Sequence, residues 1–244
     1  MQADTSELVT LYRDEHLLAV AKPSGMLVHN GWAREPRVAL SEARKLVGRY
    51  VYPVHRLDRG TSGVLWFALS AEVARSMQAA LGSPTAEKHY LTLVRGITPE
   101  TGTIEHALAK RKGGTKREAV THYQRVASFE RYSLVLARPF HGRLHQIRRH
   151  MKHISHPVIG DVRYGKREHN HLLRERFGLA RLALHALSFR LLHPVLGQLL
   201  FVQAPLPDDL AGPLRAMGLS DSAARVMSQQ PATTRAFFAR ESNG

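Results

Sequence analysis

Residues 55 to 63 read HRLDRGTSG, a single carboxylate, Asp58, set between two arginines with Thr61, Ser62 and two glycines beside it. A carboxylate in such a loop has two uses. It can cap a turn by accepting backbone N–H groups, with hydroxyl neighbours doing the same. Ionised and presented at the end of a strand, it can instead act as nucleophile or base on a bound substrate. The loop by itself leaves both open. A second chemical stretch is PFHGRLHQIRRHMKH, residues 139 to 153. His141 and His145 are four apart, and His150, His153 and His156 three apart, spacings that raise the question of a metal. The answer expected is none: the chain has no cysteine, the run has no carboxylate, and the intervening arginines repel a cation. A phosphate hydrolase is set aside too. DRGTSG lacks the GxxxxGK[ST] pattern, and no further carboxylates stand in motif spacing to hold Mg²⁺.

The elements that must position these residues read as strand-rich α+β. LVTLYRD and HLLAVAKP are short β-favouring runs split by Arg13-Asp14-Glu15, which predicts an opening hairpin. GVLWFALS (63–70) is apolar on both alternating faces, so Asp58 lies just before a buried central strand. A helix follows over SAEVARSMQAALG, with Ser70 as N-cap, Gly82 just past the end, and Val73, Met77 and Ala80 on one side. Further strands are predicted at KHYLTLVRG, at VTHYQRVASF with ERYSLVLARP, and at LHALSFRLLHP with GQLLFVQAP, the last pair joined by a Gly197 turn. A helix beginning near Leu144 would bury Ile147, Met151 and Ile154 and project His145, Arg148, Arg149 and Lys152 as a cationic face. Residues 211–244, rich in Ala, Ser, Gln and Arg, read as a tail, a peripheral helix or partly disordered.

Charge indicates the partner. The 244 residues carry Lys+Arg 35 against Asp+Glu 20, a net +15, the footprint of a protein that meets a polyanion. Basic residues bunch at Lys110, Arg111, Lys112, Lys116 and Arg117 around Gly113-Gly114, at Arg138 to Lys152, and at Arg163 to Arg176. The glycine pair makes the first bunch read as a mobile loop. Nucleic acid is the expected partner, and histidines in such a protein supply hydrogen bonds and stacking. No apolar run reaches membrane-spanning length, and MQADTSELVT lacks the basic-then-apolar order of a signal peptide, so no membrane association and a cytoplasmic location are expected. Cysteine's absence is compatible with that compartment.

HRLDRGTSG matches the HRLDxxTSG signature of the RluA-type pseudouridine synthases. KPSGMLVH (22–29), Lys88-His89-Tyr90, GRLHQIR (142–148) and HPVIGDVRYG (156–165) resemble further elements of that family, in order, across residues 8 to 207. The resemblance implies a catalytic domain over 1–210 with the pseudouridine synthase fold, a mixed, mostly antiparallel sheet flanked by helices with the catalytic cleft across it. Many relatives carry an S4 RNA-binding domain; Glu7 already abuts the first strand, so none is expected here. FGLARLALHA (177–186) is similar to the branch that modifies uridine 65 in the T stem of tRNA, although its LxLHA part also resembles ribosomal-RNA branches.

The implied reaction breaks the uracil N1 to ribose C1′ bond, turns the base and joins C5 to C1′, with no metal and no organic cofactor. Asp58 is the implied catalytic carboxylate, by covalent attack or by removal of a ribose proton. Arg148 is the implied cation that keeps it charged, and Tyr90 the aromatic that stacks on the uracil. The target must be flipped out of its helix. Arg56 is expected to enter the vacated space, and His55, Arg59, Arg143, His145, Arg149 and Lys152 to contact RNA. A monomer acting on tRNA is expected, with ribosomal RNA or a non-catalytic RNA-binding role as the alternatives.

Overall fold

The computed structural model describes residues 8–30, 35, 37–111 and 113–228. The first seven residues, read above as carrying neither leader nor S4 domain, Lys112 of the first basic bunch and the 229–244 part of the tail lie outside the described residues. The chain divides into two compact units, Met1–Glu87 with Leu184–Pro207, and Lys88–Ala183 with Asp208–Gly244.

The first unit begins with the expected hairpin of β1 (Val9–Arg13) and β2 (Leu17–Lys22), antiparallel. Its turn is shaped by Asp14, whose Oδ1 accepts the N–H groups of His16 and Leu17 at 2.7 Å each. A helix the sequence reading did not anticipate, α1 (Ala39–Val47), follows. In place of an N-cap side chain, the Ser41 hydroxyl reaches back to both the N–H and the C=O of Val38. β3 (Tyr52–Pro53) is a short partner of β4 (Ser62–Ala68), and every residue of β4 is buried, as its two apolar faces require. α2 (Ala71–Gly82) starts where expected, the Ser70 hydroxyl accepting from Val73 N–H at 3.1 Å. Gly82 is its last helical residue rather than the one beyond, and Ser83 caps it.

The second unit starts with β5 (Glu87–Arg95), whose first residue belongs to the first unit, and continues with β6 (Thr101–Glu105), the two-residue strands β7 (Leu108–Ala109) and β8 (Lys116–Arg117), β9 (Val120–Phe129) and β10 (Tyr132–Pro139). β5, β10, β9 and β6 are neighbours in that order, all antiparallel. The Gly113-Gly114 pair lies in a loop, as expected, and the residues flanking that loop pair as a short hairpin. Leu108 pairs with Arg117 and Ala109 with Lys116, and Gly113 turns the chain at φ +74°. Two helices come next, α3 (Gln146–His153) and α4 (Arg167–Phe177).

The chain then returns to the first unit as β11 (Leu184–Leu192) and β12 (Leu199–Gln203), antiparallel about Gly197 at φ +69°. β11 lies parallel to β4, His185 beside Ser62 and Ala186 beside Gly63, whereas β2 pairs with β4 antiparallel. The last helices, α5 (Asp208–Ala216) and α6 (Ser220–Ser228), cluster with the second unit and bury Leu210, Leu214 and Ala223. The boundary expected at 210/211 therefore falls inside α5.

Candidate active site

In the first unit the HRLDRGTSG loop ends where β4 begins, and the carbonyl of Asp58 accepts the N–H of Thr61 at 3.0 Å, closing a turn around the carboxylate-bearing residue. Asp58 itself is half-buried. The loop is fastened to the KPSG segment from several sides. Lys22, at the end of β2 and 1% exposed, donates its ammonium to the carbonyls of Pro23 (2.8 Å), Met26 (2.8 Å) and Arg59 (3.2 Å). A buried ammonium is tolerated only when its protons are so received. Gly25 N–H donates to Arg59 O at 2.9 Å and Ser24 Oγ to Gly60 O at 2.9 Å.

The other loop side chains sort by their contacts. Arg59 returns its Nε to Gly25 O at 2.9 Å and pairs with Glu35 at 3.0 Å. His55 accepts the Trp66 N–H on Nε2 at 3.1 Å and packs its ring 5.2 Å from that of Phe189. Arg56 is exposed and makes no side-chain hydrogen bond among the described residues. The C-terminal end of the loop is locked to β11. His185 Nε2 faces the Ala204 carbonyl at 3.3 Å, which can only accept, so the Ser62 hydroxyl donates to Nδ1 at 2.8 Å. Gly63 has φ +111°, and a Cβ there would stand 2.1 Å from the Ala186 carbonyl oxygen. Only glycine meets both conditions.

In the second unit, Tyr90 lies on β5 opposite Ala137 of β10 and is half-buried. Its neighbours in sequence are electrostatically unusual. Burial, and then the Arg138 guanidinium, push the Lys88 ammonium down to about 8, and the same two causes take His89 to about 3.

The GRLHQIR segment enters α3 through His145, which occupies the left-handed region at φ 54° and whose Nδ1 is 3.0 Å from the Tyr164 hydroxyl. Ile147 and Met151 are buried as the helical spacing requires. Arg148 is buried as well, and this corrects its expected place on the cationic outer face. Its Nε and Nη2 bind the two carboxylate oxygens of Asp161 at 2.7 and 2.9 Å, a bidentate pair. Asp161 is 1% exposed and also accepts the N–H groups of Arg163 and Tyr164. Burial works to raise its carboxyl, but these donors and the Arg148 charge outweigh that and hold it below the usual carboxylate range.

Arg143, ahead of α3, and Arg149 and His150 within it serve the segment between β6 and β9. Arg143 Nε donates to Glu118 O and Arg149 Nη1 to Ala109 O, both at 2.9 Å. His150 donates from Nε2 to His106 O at 3.0 Å while its Nδ1 accepts from Thr121 Oγ1 at 2.9 Å, and burial pushes it down to about 4. Lys152 is exposed, its Nζ 5.9 Å from the Tyr164 ring. Asp58 thus belongs to the first unit with His55, Arg56 and Arg59, and Tyr90 and Arg148 to the second with Arg143, His145, Arg149 and Lys152. No group of three or more His, Asp or Glu among the described residues is arranged to hold a metal.

Residues 16–153 match the family model described as RNA pseudouridylate synthase. The chain belongs to that family. Members are isomerases acting on uridine in RNA. Among curated relatives, it is 42% identical over 222 residues to the tRNA pseudouridine synthase C of Haemophilus ducreyi, covering 82% of this chain and 91% of that one. To the protein of the same name from Vibrio cholerae it is 37% identical over 238 residues, 88% and 98% of the two chains. The Pectobacterium carotovorum counterpart is 43% identical over 225 residues, 83% of this chain and 60% of that longer one. Solved structures of the human RNA pseudouridylate synthase domain containing 4 and 1 superpose with TM-scores of 0.73 and 0.69, at 24% and 26% identity. Each covers 86% of this chain, and they are covered to 93% and 89%.

In this pseudouridylate synthase three residues that hold the motifs escaped the sequence reading. Lys22 stands at the end of an apolar strand, Asp161 in the GDVRYG turn, and His185 in the LHA stretch. A charged or polar side chain closing an apolar run was the available signal, since such a group is buried only with a partner. The sequence did not name the partners: Asp161 lies 13 residues from Arg148, and His185 lies 123 from Ser62.

Proposed function

We propose that this chain converts one uridine of a transfer RNA to pseudouridine, with Asp58 as the reacting carboxylate. The observation that carries the proposal is the HRLDRGTSG turn, held by a buried lysine and locked to β11, in a chain 42% identical to a protein named tRNA pseudouridine synthase C. Uridine 65 of the T stem is the target we assign, on the similarity of residues 177–186 stated above. Asp58 attacks C1′ as the C1′–N1 bond breaks, or takes a ribose proton to leave a glycal. In either case the detached uracil turns, C5 bonds to C1′, and C5 loses its proton while the carboxylate is regenerated. Tyr90 stacks on the uracil and assists that proton loss, and Arg148, fixed by Asp161, keeps the carboxylate ionised.

Arg56 enters the space left by the flipped base. Arg59, Arg143, His145, Arg149 and Lys152 meet phosphates directly or by holding loops that do, and His55 acts by supporting the loop. The enzyme works as a cytoplasmic monomer, without metal or organic cofactor. The net +15 favours RNA, and no helix among the described residues is long and apolar enough to cross a membrane.

The test is incubation of purified protein with unmodified tRNA and with ribosomal RNA transcripts, followed by chemical labelling of pseudouridine and primer extension. One product at position 65 of tRNA is expected. Asp58→Asn should lower the rate on the order of 10³-fold or more while the Kd for tRNA stays within twofold. Product on ribosomal RNA alone would move the substrate to that branch, and an unchanged rate in Asp58→Asn would remove the carboxylate from the chemistry.

A further inference from the structure

The third basic bunch has been given no part so far. α4 places Arg167, Asn170, His171 and Arg174 at positions i, i+3, i+4 and i+7, hence on one helical face. That face lines a cavity of 410 Å³ whose other wall is the Asp161 to Gly165 turn. Arg167 and Arg174 enter no ion pair and no side-chain hydrogen bond among the described residues, and both are exposed. His171 lies 4.0 Å from Glu175 with both side chains open to solvent, too long and too wet a contact to hold either. The acidic group in the wall does not oppose an anion, since the Asp161 carboxylate is 1% exposed and compensated by Arg148. Asn170 is fixed by donating to Asp161 O at 3.2 Å and accepting Gly160 N–H at 2.8 Å, so the floor is built before anything binds. Val162, 96% exposed, stands at the rim.

From this arrangement we infer that the cavity between α4 and the 161–165 turn is a docking site for the sugar-phosphate backbone of the substrate RNA, which Arg167 and Arg174 grip as two phosphate contacts. Two arginines whose backbone positions are about 10 Å apart along the helix axis suit successive points on a polyanion better than one small anion. Phosphate contacts position without reading sequence. The site also gives a reason for a basic helix beside the turn that fixes Arg148: the strand docked there is registered against the arginine that acts in the reaction. This inference rests on the proposed RNA-modifying function.

The experiment compares wild type with Arg167→Glu/Arg174→Glu and with Arg75→Glu/Arg215→Glu, a control with the same change of net charge on exposed positions of α2 and α5. Thermal melts establish that all three fold, and Arg167→Gln/Arg174→Gln repeats the test without charge reversal. Binding of tRNA is measured over a salt series, and pseudouridine formation gives KM and kcat. The expected result is a roughly tenfold or greater rise in Kd and KM for the α4 variant, an unchanged kcat, and a log Kd against log salt slope shallower by about 1.5. The control should stay within twofold of wild type. Equal losses in the two reversed variants would mean net charge alone acts. An unchanged Kd in the α4 variant, or a change in binding of inorganic phosphate without one in tRNA, would overturn the site. Absence of product from wild type itself would instead count against the function.

Discussion

The two units hold their motif residues by opposite electrostatic means. In the first, the carboxylate-bearing loop is held by a cation: Lys22 donates to three main-chain carbonyls. In the second, a guanidinium is held by an anion, Arg148 bound through Nε and Nη2 to the two carboxylate oxygens of Asp161. The contrast follows from what each unit must present. A lysine set on carbonyls fixes backbone, whereas an arginine that must stay put needs a planar partner matching its geometry. Direction differs too. The lysine precedes its loop and the aspartate follows its helix, so each support is supplied by a neighbouring motif.

The comparison is broken most severely at Asp161. Asp161→Asn leaves Arg148 buried without its counter-charge, and a loss of about 3 kcal/mol is expected in denaturant melts, with kcat falling more than tRNA affinity. If kcat survives while stability falls, Arg148 is a structural cation and its proposed role is lost. Lys22→Met, which fills similar space, should cost about 2 kcal/mol by stranding carbonyls that the ammonium served. In this variant the loss should appear in kcat as well, since the turn at Asp58 loosens; normal kcat would show that the KPSG backbone bonds suffice.

The smallest effects are in pH. Lys88 has a folded value of about 8 against its ordinary 10.5, so between these limits the unfolded chain keeps a proton that the folded chain has released. Stability therefore rises with pH across that window, and relative to Lys88→Met the wild type should gain on the order of 1 kcal/mol between pH 8 and 10. The sign is the same at acid pH. His150, about 4 when folded against 6.5, takes up its proton in the unfolded chain first, so stability falls as pH drops below 6.5. His150→Gln should flatten that decline.

Much of this was legible in the sequence because it is local. Alternating or continuous apolar runs gave the hairpin at the start, the covered β4 and the paired β9 and β10, and Ser70 gave the start of α2. Elements were missed where local signals were weak. α1 opens at Val38, which has no capping side chain, and β7 and β8 are two residues each and exist only through pairing. At the site the motif residues were readable and their surroundings were not. Arg148 lies roughly 60° beyond Met151 on the wheel, at the margin of the apolar side, and only the distant Asp161 makes burying it tolerable.

The parallel seam between β4 and β11 has a temporal consequence. Ser62 and Gly63 leave the ribosome long before His185 and Ala186, 123 residues later, and the Lys88–Ala183 part of the second unit is synthesised between them. So distant a pairing is slow to close, and Gly63 leaves the Ala186 backbone the room that a methyl would take. A nascent chain stopped short of residue 185 would carry the whole HRLDRGTSG sequence and still lack the clasp that sets it.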